Sequence, residues 1–579
     1  MSKLKKLSQK SWFYPLLTFI LIIPAFAFLL RPGMYWIMHD DMQMIRQLEL
    51  EKCFQDGQIP CRWAPDLGYG YGYPLFNFYP PMPYFVGQLF RTIGLSFMAT
   101  VRYTAIANFI LAGLCMYFLA ANVFSPLGGL LAALFYTYAP YHAVNIYVRG
   151  AMNEAWAAVF FPLILLMAKK LIETKKLKFI LFLGLSFTGL MLSHNPMTLV
   201  FTPILIIWSI YWMYFYYKLD VKKYFHSILK LASSALLAFG LAAFYTLPVI
   251  LETKYVQIES MFINYYHFSV HFVTLKQLFI STFWGNGASV WGPNDGMSFA
   301  IGYLHWIIPT LIFIYYAINF IRLPKNRLRS SLILLLVFMA YFSAYMTHNQ
   351  STWLWLILTP IQKIQFPWRF LNISVLLFSL PIAVLPEIIQ NSRLKQFTFP
   401  LATFLLVSLF ALNISHYTPV EWGPLSDEQK FSGKAWINEI TSGIYDYLPK
   451  TASKAALGPA KDFVDDITPR TVSYQVTGSK KGTDWYIGNI SLPIEADVTL
   501  AILGYKDFKI TNNSLPIPHT IEPEFGRIVI HLPAGNNQVY VKFVNTTGRI
   551  IANLITVITL ITATIFFTKK LWTQSILKK

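Results

Sequence analysis

The stretch FYPLLTFILIIPAFAFLL, residues 13–30, decides the fold class. It carries no charge, and as a helix it is about long enough for the hydrocarbon core of a bilayer, which takes about 20 apolar residues. Runs of the same kind recur near 101–120, 126–142, 155–172, 178–194, 196–217 and 227–250. Others follow near 299–321, 330–347, 370–387, 398–414 and 548–567. The reading is an α-helical polytopic membrane protein of about twelve spans. Composition agrees, since 55% of the 579 residues are apolar and only 13% are charged. An ordinary soluble chain carries roughly 25% charge. An aromatic content of 17% also excludes a disordered chain.

The formal charge of +20 would suggest nucleic acid in a soluble protein. Here the basic residues gather at span ends, as retention of Lys and Arg in cytoplasmic loops requires, so nucleic-acid binding is rejected. Lys3, Lys5, Lys6 and Lys10 precede the first span. Lys169, Lys170, Lys175, Lys176 and Lys178 lie between the fourth and fifth, and Lys218, Lys222 and Lys223 follow the sixth. Arg322, Lys325, Arg327, Arg329, Arg393, Lys395, Lys569, Lys570, Lys578 and Lys579 complete the set. All fall on one side if both termini are cytoplasmic, with the first span an uncleaved start helix.

The opposite face then receives loops near 31–100 and 251–298 and the large segment 415–547. The last contains alternating or β-branched stretches, Thr471–Val476, Val498–Ile502, Arg527–Leu532 and Gln538–Phe543. Turn signals separate them. The organisation expected is a membrane domain over 1–414, an extracytoplasmic β-sandwich-like domain over 415–547, and a last span with a basic tail over 548–579.

The outer loops carry the polar chemistry. His39-Asp40-Asp41 is followed by Met42, Ile45 and Leu48 at helical spacing, a pattern for an amphipathic helix on the membrane surface. The acidic pair reads either as the cap of that helix or as carboxylates facing a lipid-linked substrate. Gly68-Tyr69-Gly70-Tyr71-Gly72-Tyr73-Pro74 reads as a sugar-binding loop or as an interfacial aromatic belt. The helix opened by Pro80-Pro81 and reaching about 95 reads as juxtamembrane. Cys53 and Cys61 can form a disulfide on an oxidising side or remain free thiols, and three cysteines exclude a disulfide scaffold.

Arg149 and Glu154 stand at the mouth of two spans, where charge is costly without a role. Arginine suits phosphate through its bidentate fork, and an ion pair between the two is the plain alternative. His194 and Glu252, at outer span ends, read either as hydrogen-bonding residues or as cavity-lining groups. His267 and His271 have metal-ligand spacing but no third ligand. Trp368 and Arg369, in Gln365-Phe366-Pro367-Trp368-Arg369-Phe370, offer a second phosphate contact or a headgroup anchor. No phosphate loop, nucleophile elbow or zincin helix occurs, nor any inverted pair of broken helices.

The acidic pair after the first span, the surface helix and the Pro80-Pro81-Tyr84 helix resemble the C-type glycosyltransferases, which use polyprenyl-phosphate sugars. Tyr147-Val148-Arg149-Gly150-Ala151, Glu154, Leu192-Ser193-His194 and residues 365–370 are similar to bacterial membrane proteins of the "6-pyruvoyl-tetrahydropterin synthase-related" and YfhO-like kind. A Gly-Trp turn of that pattern is missing from the β-rich segment. The resemblance implies an inverting sugar transfer at the outer face of a bacterial inner membrane. It implies Asp40 as general base, Asp41 orienting it or holding a divalent metal, and Arg149 and Arg369 at the leaving phosphate. His39, Glu154, His194, Glu252 and Trp368 would bind substrate. The partners implied are a lipid-linked sugar donor, a glycan, lipid or protein acceptor, and membrane lipids. No cofactor is required by any motif. A lipid or polysaccharide transporter and a non-enzymatic envelope assembly factor are the alternatives.

Overall fold

The structure is a computed structural model that describes residues 9–323 and 327–576, with side chains as far as 568. Lys3, Lys5, Lys6, Lys325, Lys578 and Lys579 lie outside the described residues, as do the side chains of Lys569 and Lys570. Among the described residues, ten helices are long and apolar enough to cross a membrane, from Phe13–Leu30 to Thr547–Thr568. The expected spans near 126–142 and 178–194 are shorter, as Pro126–Thr137 and Lys178–Ser193. Pro140 ends the first of these, because proline cannot continue an α-helix without losing a hydrogen bond. The Met82–Thr92 helix is too short to be a span.

The helices bundle around Met152–Thr174 and Pro126–Thr137, whose side chains are almost wholly buried. The long Val221–Glu252 helix packs on Thr547–Ile576 and Lys178–Ser193. The basic helix ends come together at one end of the bundle, where the Tyr217 hydroxyl donates to Ile172 O, Tyr211 donates to Leu328 O, and Arg329 pairs with Glu387. The opposite end carries the β-domain.

That domain is a sandwich of two antiparallel sheets. Val464–Thr468, Ala496–Leu503, Arg527–Leu532 and His519–Ile521 form one. Gln475–Lys481, Trp485–Leu492, Gly535–Phe543, Phe508–Asn512 and Leu515–Pro516 form the other. Alternate residues such as Val498, Leu500, Ile528, Ile530, Ile490, Val539 and Val541 point into a shared core, as the period of two requires. The sandwich begins only at Val464. Earlier in the expected 415–547 segment, Trp422–Pro424 pairs with Met34–Trp36, so this part belongs with the first loop.

The first loop in turn enters the sandwich core. Trp63 packs against Phe508 and Phe543 at 5.3 and 5.1 Å between ring centres. Gly72 has φ +87, and a Cβ there would strike the Trp63 ring. The Gly68–Pro74 tyrosines are committed to this joint. Tyr71 donates to Asp465 (3.0 Å) and Tyr73 donates to Gly443 O (2.9 Å). The loop is neither a free sugar platform nor a membrane belt.

Candidate functional site

At the β-domain end of the bundle, the chain after the first span lies extended along residues 144–150. His39 N–H donates to Val148 O (3.0 Å), Asp40 N–H to Arg149 O (2.9 Å), and Trp36 Nε1–H to Ile146 O (2.9 Å). Val144–Val148 is a π-helical turn, a distortion frequent at functional sites. Gly150 has φ +61, and a Cβ there would collide with Met38. Glycine is therefore required for Arg149 to lie beside Asp40.

A buried charge cluster follows directly. Glu154 is 1% exposed and takes two arginines on Oε2, Arg149 at 2.9 Å and Arg369 at 3.1 Å. Its Oε1 accepts from Asn372 (2.7 Å) and Tyr141 (3.1 Å). Arg149 also donates to Asn145 Oδ1 (2.6 Å) and lies 4.3 Å from the centre of the Trp368 ring. Trp368 stacks on Phe366 and donates to Ser289 Oγ at 3.2 Å. Arg369 donates to Ile364 O (2.6 Å). The plain alternative of an Arg149–Glu154 pair is thus too small. Two guanidiniums share one carboxylate, leaving an excess positive charge in a place where an unpaired charge is expensive.

His194 caps the Asn195–Tyr217 helix, its Nδ1 accepting from Met197 N–H at 3.2 Å. It lies close enough to the cluster to feel Arg369, Glu154 and Arg149. Burial first, then the Arg369 charge, pushes the ring far below its usual range and holds it neutral.

The acidic pair is split between two networks. Asp40 Oδ2 accepts from Arg46 (2.8 Å), Gln43 (3.2 Å) and Tyr79 (3.3 Å). Among the described residues no hydrogen bond reaches its Oδ1, and the side chain is 34% exposed. Asp41 Oδ1 accepts from Tyr35 (3.1 Å), and Oδ2 pairs with Lys430 (2.6 Å). Burial raises the Asp41 carboxyl, although Lys430 and Tyr35 oppose the shift. His39 Nε2 lies 2.6 Å from Asn286 O, and burial lowers its ring from the usual range.

Neither acid caps the following helix. Met42 holds that position in Gln43–Gln55 without a side-chain bond. The helix is no surface helix either, because Gln43, Met44, Ile45, Arg46, Gln47, Glu49, Leu50 and Cys53 are buried around it. It is enclosed between the bundle and the β-domain, which is why its polar side chains need the partners just described. A divalent metal does not fit the pair. Both Asp41 oxygens and one Asp40 oxygen are committed to donors, and no group of three or more His, Cys, Asp or Glu could hold an ion among the described residues.

Glu252 lies in a different cluster. It pairs with Arg549 at 2.7 Å and accepts from Asn77 (2.9 Å), Thr546 (3.0 Å) and Tyr505 (3.3 Å). It joins the last helix to the first loop and the sandwich rather than lining the Arg149 site. His271 is no metal ligand, since Nε2 meets Tyr265 O (2.6 Å) and Nδ1 meets Ser289 Oγ (3.3 Å). Cys53 and Cys61 are joined by a disulfide. Sequence reasoning missed Arg46, Tyr79, Asn372, Lys430, Glu439 and Asp446 at the site. Arg46, on the helix after the acids, and Tyr79, directly before Pro80-Pro81, had a local signal; the rest arrive from remote segments.

No family model matches the chain. A protein of Lactococcus lactis subsp. cremoris is 23% identical over 368 residues, 62% of this chain and 54% of that one. Among solved structures, the apo oligosaccharyltransferase of Archaeoglobus fulgidus aligns with a TM-score of 0.43 and 12% identity, over 79% of this chain and 63% of its own. The oligosaccharyltransferase AglB of the same organism, in complex with an inhibitory peptide and a dolichol-phosphate, aligns with a TM-score of 0.41 and 12% identity. That alignment covers 78% of this chain and 61% of its own. The chain therefore spans less than two thirds of the length of each of these proteins.

Proposed function

We propose that the protein is an integral-membrane glycosyltransferase of the C type, moving a sugar from a polyprenyl-phosphate donor to an acceptor on the extracytoplasmic face of a bacterial inner membrane. The observation that carries the proposal is the excess positive charge of Arg149 and Arg369 on the single carboxylate of Glu154, beside an Asp40 with one oxygen open. Two fixed guanidinium groups suit the developing charge of a departing phosphate, which is the main electrostatic demand of such a site.

In the step proposed, Asp40 Oδ1 takes the proton of an acceptor hydroxyl. The freed oxygen attacks the anomeric carbon from the face opposite the phosphate. The bond from that carbon to the phosphate oxygen breaks, and its electron pair leaves on polyprenyl phosphate, held by Arg149 and Arg369. The sugar changes hands with inversion. Arg46 and Tyr79 hold Asp40 in place, and Trp368 and His194 border the donor. The acceptor is a glycan, lipid or protein.

The test is Asp40→Asn, which keeps size but cannot take the proton. Loss of a general base costs about 10²–10⁴-fold in rate, with insertion and folding near normal. Arg149→Lys keeps charge but loses the fork, and should weaken donor binding more than folding. A deletion strain should accumulate a polyprenyl-phosphate sugar in its lipid extract. Purified, well-folded Asp40→Asn protein transferring sugar at the unmodified rate would end the assignment.

A further inference from the structure

Lys430 stands where two carboxylates converge. Its Nζ is 2.6 Å from Asp41 Oδ2 and 2.8 Å from Glu439 Oε1. Its side chain is 11% exposed and that of Glu439 5%. The second Glu439 oxygen is buried with no hydrogen-bond partner, and Tyr35 donates to the second Asp41 oxygen. Two carboxylates aimed at one point offer oxygen ligands of the kind that hard divalent cations take, at about 2.0–2.6 Å. Here an ammonium group fills that point.

The lysine is held there by its own short helix, Asp427–Lys430. Ser426 caps it, in a reciprocal box with Gln429. Asp427 then accepts from the backbone N–H groups of Phe97 (2.7 Å) and Met98 (3.0 Å), the first residues of the Phe97–Val123 membrane helix. Negative charge is favoured at such a helix start. Trp422–Pro424, paired with Met34–Trp36, fixes the chain on the other side. Lys430 is thus clamped to both the first loop and the bundle, and does not wander as a surface lysine would.

We propose that Lys430 is the built-in cation of this site, occupying the Asp41–Glu439 point in place of a divalent metal ion and positioning the loop that carries Asp40. Its part in catalysis rests on the transferase reading; its exclusion of a metal ion does not. A lysine supplies one positive charge without ion exchange and without a complete set of ligands; the desolvation of its ammonium is offset by the two carboxylates it meets.

The experiment is a manganese titration of the full chain in nanodiscs, read by electron paramagnetic resonance of free Mn²⁺. The unmodified protein should leave Mn²⁺ free. Lys430→Met, which keeps length but removes charge, should bind one Mn²⁺ per chain. The double variant Lys430→Met/Asp41→Asn should lose that binding, and Lys430→Arg should behave as the unmodified protein. Lys430→Gln is the second variant should Lys430→Met not fold. Two results would overturn the proposal: unmodified protein binding Mn²⁺ in a manner abolished by Asp41→Asn, or folded Lys430→Met and Lys430→Gln binding none. A transfer reaction abolished by EDTA and restored by Mn²⁺ would also overturn it while leaving the transferase reading intact. An absence of transfer would count against that reading and leave the manganese result standing.

Discussion

Asp446 lies near Arg46 and Asp40, and burial raises its carboxyl to about 6 despite the opposing Arg46 charge, with Asp40 adding to the rise. The folded protein therefore keeps this proton to higher pH than the unfolded chain, whose carboxyl titrates near about 4. Its contribution to stability is full below about pH 4 and is lost as pH rises through about 6. Thermal melting over that window should show stability falling with pH, with a smaller slope in Asp446→Asn; an unchanged slope would place the titrating group elsewhere. Glu252 acts through an ion pair instead. Arg549 is buried against it, while Arg62 is buried nearby on Asn77 and Asn553, and burial, then the Arg549 charge, lowers Arg62 to about 9. Glu252→Gln leaves the buried Arg549 guanidinium without its carboxylate. Breaking a buried pair costs about 3–5 kcal/mol, so melting should show a large loss of stability, with any transfer per folded molecule preserved.

The Gln43–Gln55 helix is the element on which the site depends. Arg46, near its start, holds Asp40, and Cys53, near its end, is bonded to Cys61. Glu49, between them, accepts from Asp66 N–H on the loop leading to the sandwich. A bridge across eight residues removes about 2–3 kcal/mol of chain entropy from the unfolded state. Alkylation before and after reduction should differ by two thiols, and Cys53→Ser/Cys61→Ser should melt at a lower temperature. Equal thiol counts would show that packing alone holds the loop. The helix also explains a misreading. Met42, Ile45 and Leu48 suggest one apolar face, yet polar Gln43, Arg46 and Gln47 are buried too, because structure packs on every side.

At the scale of the whole molecule, the basic helix ends and the β-domain occupy opposite ends of the bundle. If the positive-inside rule sets orientation, a cysteine at Lys480, exposed on the Gln475–Lys481 strand, should react with an impermeant reagent in intact cells. One at Lys176, in an exposed turn among the basic residues, should not. The reverse pattern would put Asp40 on the cytoplasmic face and remove the site from the side where the proposal needs it.

The sequence by itself determined what is local. A membrane helix satisfies its own backbone and needs only a long apolar run, so ten of the twelve expected spans appear as helices long enough to cross and the other two as shorter apolar helices. A strand announces itself by alternation, and Arg527–Leu532 appears with the bounds that its pattern predicts. Arg149 and Glu154 stood out because charge at a span mouth is costly. Tertiary structure decided what depends on distant partners. Nothing near Glu154 in the chain says that Arg369 shares it, 215 residues on. Nothing near Asp41 says that Lys430 closes on it, 389 residues on. The strand Trp485–Leu492 was missed because Gly488 and Asn489 break its pattern, and the cross-strand pairing with Gly535–Phe543 supplies the hydrogen bonds that propensity lacks. Glu252 shows the same limit. A carboxylate at a span end has one local description, and only Arg549, which folds against it, distinguishes a structural joint from a substrate site.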